Sequence, residues 1–134
     1  MNAVDTSVVV AAFATWHPAH LVARRKLDSG PRLPGHAGLE AYSVLTRLPQ
    51  PHRAGASEVR AFLRAEFGEP WLVLDGTELP ALVERLVALG IAGGPTYDAL
   101  IGATAKHAGA TLITRDRRAL VTYQRLGVDV EFFG

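Results

Sequence analysis

Asn2-Ala3-Val4-Asp5-Thr6-Ser7-Val8-Val9-Val10 opens the chain with a short apolar run, one acid, two hydroxyl side chains and a second apolar run. Asn2 to Val4 reads as a very short strand that stops at Asp5. Asp-Thr-Ser is helix-capping chemistry, because a side-chain oxygen there accepts from the orphan N–H groups of a first turn. Thr6 or Ser7 is the expected cap and Val8 to Phe13 the expected helix. The β-branched run Val8-Val9-Val10 also suits a strand that simply continues, but the cap favours strand followed by helix.

The same alternation continues outward. Pro18 is expected to begin a helix with Leu21, Val22 and Leu27 inward and Arg24, Arg25 and Lys26 outward, stopped at Gly30-Pro31. Leu33-Pro34 reads as a short strand. Leu39 to Leu48 is an amphipathic helix with Ala41, Val44, Leu45 and Leu48 on one face, ended by Pro49 and Pro51. Ser57 is the expected cap of a helix carrying Val59, Phe62, Leu63 and Phe67. Trp71 to Leu74 reads as a buried strand. Thr77 should cap Glu78 to Leu89, and Thr96 should cap Tyr97 to His107. Ala110 to Thr114 reads as a strand, Arg117 to Leu126 as a helix closed by Gly127, and Val128 to Phe132 as an edge strand. Strands alternating with helices indicate an α/β fold with a parallel sheet covered on both faces. No repeat, linker or low-complexity tract interrupts it, so residues 1–134 are expected to form one domain.

Composition narrows the function classes. Hydrophobic residues make up 49% of the 134 positions, which suits a packed globule. No apolar run approaches the roughly 20 residues that span a bilayer. Met1-Asn2-Ala3-Val4-Asp5 lacks the basic start of a signal peptide, so none is expected. The absence of cysteine excludes disulfides, zinc–thiolate sites and thiol catalysis, and it suits a reducing cytoplasm.

Four lone acids, Asp5, Glu40, Asp98 and Asp116, each sit where a strand should end or a helix begin. Ligands of open parallel sheets bind beyond the carboxyl ends of the strands. Asp5 follows the first strand and Asp116 follows Ile113-Thr114, while Glu40 and Asp98 are expected in first helical turns facing the same edge. Each also has an ordinary role open to it, since acids in a first turn complement the helix dipole and Asp is a good cap. If the four converge, their mutual repulsion calls for a cation. An all-oxygen ligand set suits Mg²⁺ or Mn²⁺ better than Zn²⁺.

The formal charge of +1 hides this arrangement. Setting the four candidates aside leaves nine of the 13 acids against 14 Lys and Arg. Arginine predominates and binds phosphate bidentately. Arg24-Arg25-Lys26 and the group Arg115, Arg117 and Arg118 are the two basic clusters, each of which reads equally well as a solvated helix face. His17 and His20 flank a proline and are expected at the surface. His36 is placed to reach the rim of a site at Glu40. Gly93-Gly94-Pro95 lacks the Lys-Ser/Thr of a P-loop, and no Gly-x-Ser-x-Gly elbow occurs.

Val4-Asp5-Thr6-Ser7, Leu39-Glu40-Ala41-Tyr42-Ser43-Val44-Leu45-Thr46-Arg47-Leu48-Pro49, Tyr97-Asp98-Ala99-Leu100-Ile101-Gly102-Ala103-Thr104-Ala105 and Leu112-Ile113-Thr114-Arg115-Asp116-Arg117-Arg118-Ala119 follow one another in the motif order of a known family. Across nearly the whole chain the sequence resembles the PIN-domain ribonucleases, and among them the VapC-type toxins of bacterial toxin–antitoxin pairs. The resemblance implies a three-layer α/β/α fold around a mainly parallel sheet. It implies Mg²⁺- or Mn²⁺-dependent cleavage of RNA, with Asp5 and Asp98 as principal metal ligands and Asp116 completing the site directly or through water. Glu40 would hold a second metal or orient the attacking water, and Thr114 would support the cluster by hydrogen bonding. Some relatives carry a further acid after the Thr-x-Asp motif; Arg118-Ala119 stand here, which leaves occupancy of a second metal open. The resemblance also implies a homodimer and a small cognate antitoxin.

Attack by water predicts products with 5′-phosphate and 3′-hydroxyl ends. A haloacid-dehalogenase-like phosphatase would need an acid where Ser7 stands. A receiver domain would need an acidic neighbour for Asp5 and a late lysine where Arg115 stands. A catalytically silent PIN scaffold that binds RNA or protein is the remaining alternative.

Overall fold

The computed structural model describes residues 1–134. It orders the chain as β1 (Asn2–Val4), α1 (Thr6–Phe13), α2 (His20–Lys26), a 3-10 turn (Leu27–Ser29), α3 (Gly35–Thr46), α4 (Ala56–Glu66), α5 (Glu78–Leu89), α6 (Pro95–His107), β2 (Thr111–Thr114), α7 (Arg117–Arg125) and β3 (Val130–Phe132). β1, β2 and β3 pair in parallel in that order, with Val4 opposite Ile113 and Ile113 opposite Glu131. The sheet is extended beyond β1 by single parallel bridges, Ala3 with Arg32 and Pro34 with Leu72. Arg32 N donates to Asn2 O at 2.8 Å and Leu72 N donates to Leu33 O at 2.9 Å. Across the sheet the order is therefore residue 72, residues 32–34, β1, β2, β3. The chain winds outward in both directions from the junction of β1 and β2, and such a switch point is where open α/β sheets place their ligands.

Strands covered on both faces must be apolar throughout, and Ala3, Val4, Leu112 and Ile113 are all buried. Helices pack around them, α1 against α2 and α3, α6 against α7, in the three-layer α/β/α arrangement. Gly30 and Gly90 close their helices in the left-handed conformation, at φ 67° and 69°, where a side chain is strained.

Several local expectations are corrected. The cap of α1 is Asp5 itself, whose side chain accepts from Ser7 N and Val8 N, while Thr6 and Ser7 already belong to the helix. α2 starts at His20, and Leu21 and Val22 point outward; Ala23 and Leu27 are the buried positions. α3 begins at Gly35, four residues early, because Pro34 leads straight into it. Gly38 permits this packing: a Cβ there would lie 2.6 Å from the Trp71 ring. Trp71 to Leu74 is not a buried strand, since it makes a single bridge and Val73 is exposed. α4 starts at Ala56 without a side-chain cap. α5 is capped by the Asp75 carboxylate, which accepts from Thr77 N at 3.0 Å and Glu78 N at 3.1 Å, rather than by Thr77. α6 starts at Pro95, a residue with no N–H to satisfy, and Thr96 caps nothing.

Candidate active site

Asp5 leaves β1 at the switch point. Its backbone N–H donates to Ile113 O at 3.1 Å, which sets it beside Thr114 at the end of β2. Its carboxylate is buried and holds five donors. Oδ1 accepts from Ser7 N at 3.0 Å, Ser7 Oγ at 2.5 Å and Val8 N at 3.4 Å. Oδ2 accepts from Thr114 Oγ1 at 2.5 Å and from the Tyr123 hydroxyl at 2.9 Å. Burial pushes the Asp5 carboxyl up, and the hydrogen bonds from Ser7, Thr114, Tyr123 and Val8 oppose that rise.

The loop after β2 is locked onto the same group. Thr114 Oγ1 accepts from Asp116 N at 3.0 Å, and Ser7 Oγ accepts from Arg115 N at 3.0 Å. Asp116 caps α7 through Oδ1, which accepts from Arg118 N at 2.9 Å and Ala119 N at 3.3 Å. Its other carboxylate oxygen makes none of these bonds.

Asp98 has a different environment. It is half-buried in the first turn of α6 and no cation pairs with it. Its carboxyl is pushed up to about 6 by burial first, then by the charges of Asp116, Glu40 and Asp5. All four acids named from the sequence thus share one electrostatic neighbourhood. They do not close into a ready-made metal cage. Like charges carried by separate elements stay apart unless a cation joins them. The donor set, oxygen-only and without a neutralising Lys or Arg, fits a hard divalent ion.

Glu40 is not in a first turn, because α3 starts at Gly35, so the helix dipole does not account for it. His36 lies one turn before it, with Nε2 3.6 Å from Glu40 Oε2, and stacks on the Tyr97 ring at a centroid distance of 5.3 Å. His36 thus stands at the rim of the acidic cluster. His17 and His20 are part-buried rather than at the surface: His20 Nδ1 meets Ala11 O at 3.0 Å, and Ala19 N donates to His17 Nδ1 at 3.0 Å. Burial, then Arg115 and His20, lowers the His17 pKa.

The two basic clusters part company. Arg24 pairs with Glu66 at 2.7 Å and Lys26 pairs with Glu131. Arg115, Arg117 and Arg118 line an open cleft of about 380 Å³ with Ser7 and Asp116. Sequence reasoning missed Tyr123 and the role of Ser7. The available signal for Tyr123 was its place on the buried face of α7, two turns from Asp116, where a phenol hydroxyl must find a partner.

Residues 3–125 match the PIN domain model. The chain belongs to the PIN-domain family. This PIN domain is 52% identical over 131 residues to Ribonuclease VapC40 of Mycobacterium tuberculosis strain H37Rv, covering 98% of each chain. It is 40% identical over 129 residues to Ribonuclease VapC27 of the same strain, covering 96% of this chain and 93% of that one. In this PIN domain the buried Asp5 stands at the switch point, and its charge, with those of Asp116 and Glu40, bears on the half-buried Asp98.

Proposed function

We propose that this chain is the toxin of a toxin–antitoxin pair, an endoribonuclease that hydrolyses RNA phosphodiester bonds with Mg²⁺, or Mn²⁺ in its place, in the cytoplasm. The observation that carries the reading is the carboxylate cluster at the β1–β2 switch point, held without a cation of its own on a chain so similar to two named ribonucleases. Residues 1–134 act as one nuclease domain. The partners proposed are an RNA substrate, a small cognate antitoxin and a second copy of the chain. No helix is long and apolar enough to cross a membrane.

Asp5, Asp98 and Asp116 would hold the metal. When bound, Mg²⁺ supplies a polarised phosphate and an acidified water. Asp98 and the free Asp116 oxygen offer the lone pairs not already used within the protein, while Asp5 is presented in one fixed rotamer by Ser7, Thr114 and the first turn of α1. Glu40, on α3, would orient the attacking water or hold a second ion. Thr114 supports Asp5 and the Asp116 backbone through a single hydroxyl. Arg115, Arg117 and Arg118 face the RNA backbone, where such contacts set register more than sequence choice. Water as the nucleophile leaves 5′-phosphate and 3′-hydroxyl ends.

The test is incubation of antitoxin-free protein with total cellular RNA, with and without Mg²⁺ or Mn²⁺, followed by end mapping. Discrete metal-dependent cuts with 5′-phosphate ends, absent in Asp98→Asn, are expected. A 2′,3′-cyclic phosphate would overturn the hydrolytic mechanism. Folded protein that cuts nothing with either metal would leave the silent scaffold as the reading.

A further inference from the structure

Of the donors on Asp5, Ser7 and Val8 come from the helix that Asp5 itself caps, and Thr114 comes from the neighbouring strand. Tyr123 alone reaches it from a distant helix, 118 residues along the chain. Its side chain is 1% exposed and lies on α7, whose cap is Asp116. Long helical side chains point back toward the N-terminus, which carries the phenol from the second turn of α7 toward the acids. The ring lies against α6 where Gly102 stands. A Cβ at Gly102 would sit 2.8 Å from Tyr123 Cδ1. Gly102 is one turn beyond Asp98, on the same face of α6. A mid-helix glycine costs about 1 kcal/mol relative to alanine, and the ring it admits accounts for its presence. One phenol thus touches or abuts the elements that carry Asp5, Asp98 and Asp116.

We propose that Tyr123 is a positioning residue for metal binding: its hydroxyl holds one lone pair of Asp5 Oδ2 and its ring sets the spacing of α6 from α7, so the position at which a cation can meet the carboxylates is fixed. This rests on the metal-nuclease reading above. A carboxylate offers about four lone-pair sites, and five donors fill those of Asp5, so a cation reaches it only where a rotatable hydroxyl, that of Ser7 or Thr114, gives way. Which site is left to a cation is decided by the donors that cannot move. The Tyr123 ring is clamped by packing, so its hydroxyl is such a donor. The alternative is a tyrosine that only fills the core and lends its hydroxyl to the nearest acceptor.

Tyr123→Phe keeps the ring and removes the hydroxyl. Mn²⁺ binding is measured by titration calorimetry on wild type, Tyr123→Phe, Gly102→Ala and Asp98→Asn, with melting temperature and RNA cleavage on the same samples. Tyr123→Phe is expected to bind Mn²⁺ about 10–100-fold more weakly, the usual effect of losing an orienting partner. Its cleavage should recover at high Mn²⁺ with an unchanged KM for RNA, because the buried phenol is out of reach of substrate. Gly102→Ala, which displaces the ring, should weaken Mn²⁺ in the same direction. Wild-type Mn²⁺ affinity in a folded Tyr123→Phe, whether or not its melting temperature drops, overturns the positioning role and leaves the nuclease reading intact. Wild-type protein that neither binds Mn²⁺ nor cuts RNA overturns both.

Discussion

Asp5 caps a helix as well as heading the cluster, so its removal confounds two effects. Asp5→Ala leaves buried donors without an acceptor and α1 without its cap, a loss expected at about 2–4 kcal/mol in denaturant unfolding. Asp98 has no such structural duty. Asp98→Asn should keep or raise the melting temperature while slowing RNA cleavage at least about 10²-fold, as expected for a group that stabilises charge in the transition state; a variant that melts well below wild type would contradict this. The pH dependence follows from the same residue. Its folded pKa, about 6, stands above the unfolded 3.8, so the folded chain holds this proton more tightly. That stability is present in full below the unfolded value and is lost as pH rises through about 6. In metal-free melts from about pH 4 to about pH 7, Asp98→Asn should therefore gain on wild type as pH rises, and saturating Mg²⁺ should remove the difference in wild type's favour. A gap that narrows with pH would refute the assignment.

Among the elements, helix existence was legible and helix starts were not. The glycine stops at Gly30, Gly90 and Gly127 were readable because only glycine takes their positive φ without strain. The capping side chain was an aspartate wherever one stood before a threonine: Asp5, not Thr6 or Ser7, caps α1, and at α5 Thr77 holds the N-cap position while the Asp75 carboxylate takes the N–H groups. An ionised carboxylate accepts from several first-turn N–H groups at once and outcompetes a hydroxyl. Asp75→Ala should accordingly lower the midpoint of urea unfolding, and Thr77→Ala should lower it less; the reverse ranking would restore Thr77 as the capping side chain. Trp71 to Leu74 looked like a core strand because it is apolar. Its partner segment contributes a single bridge at Pro34, and a proline cannot donate to a ladder.

At the scale of the whole molecule, Leu79, Val83 and Val87 recur every fourth residue along α5 and all remain exposed, an apolar stripe that suits the proposed second copy. Val83→Glu is expected to shift sedimentation equilibrium from dimer toward monomer with an unchanged far-UV spectrum; a dimer indifferent to it would place the contact elsewhere. The sequence by itself determined the α/β alternation and the glycine stops and singled out the four acids as candidates, because periodicity, turn residues and motif order are local properties. Only the tertiary structure decided that Asp98 senses Asp116, Glu40 and Asp5, that Glu40 lies deep in its helix beside His36, that Arg24 and Lys26 are paired with acids, and that Tyr123 completes the shell of Asp5. The bonds from Thr114 and Tyr123 to Asp5 cross 109 and 118 residues of chain. No local pattern encodes such contacts; they exist because parallel strand pairing brings distant strand ends to one edge.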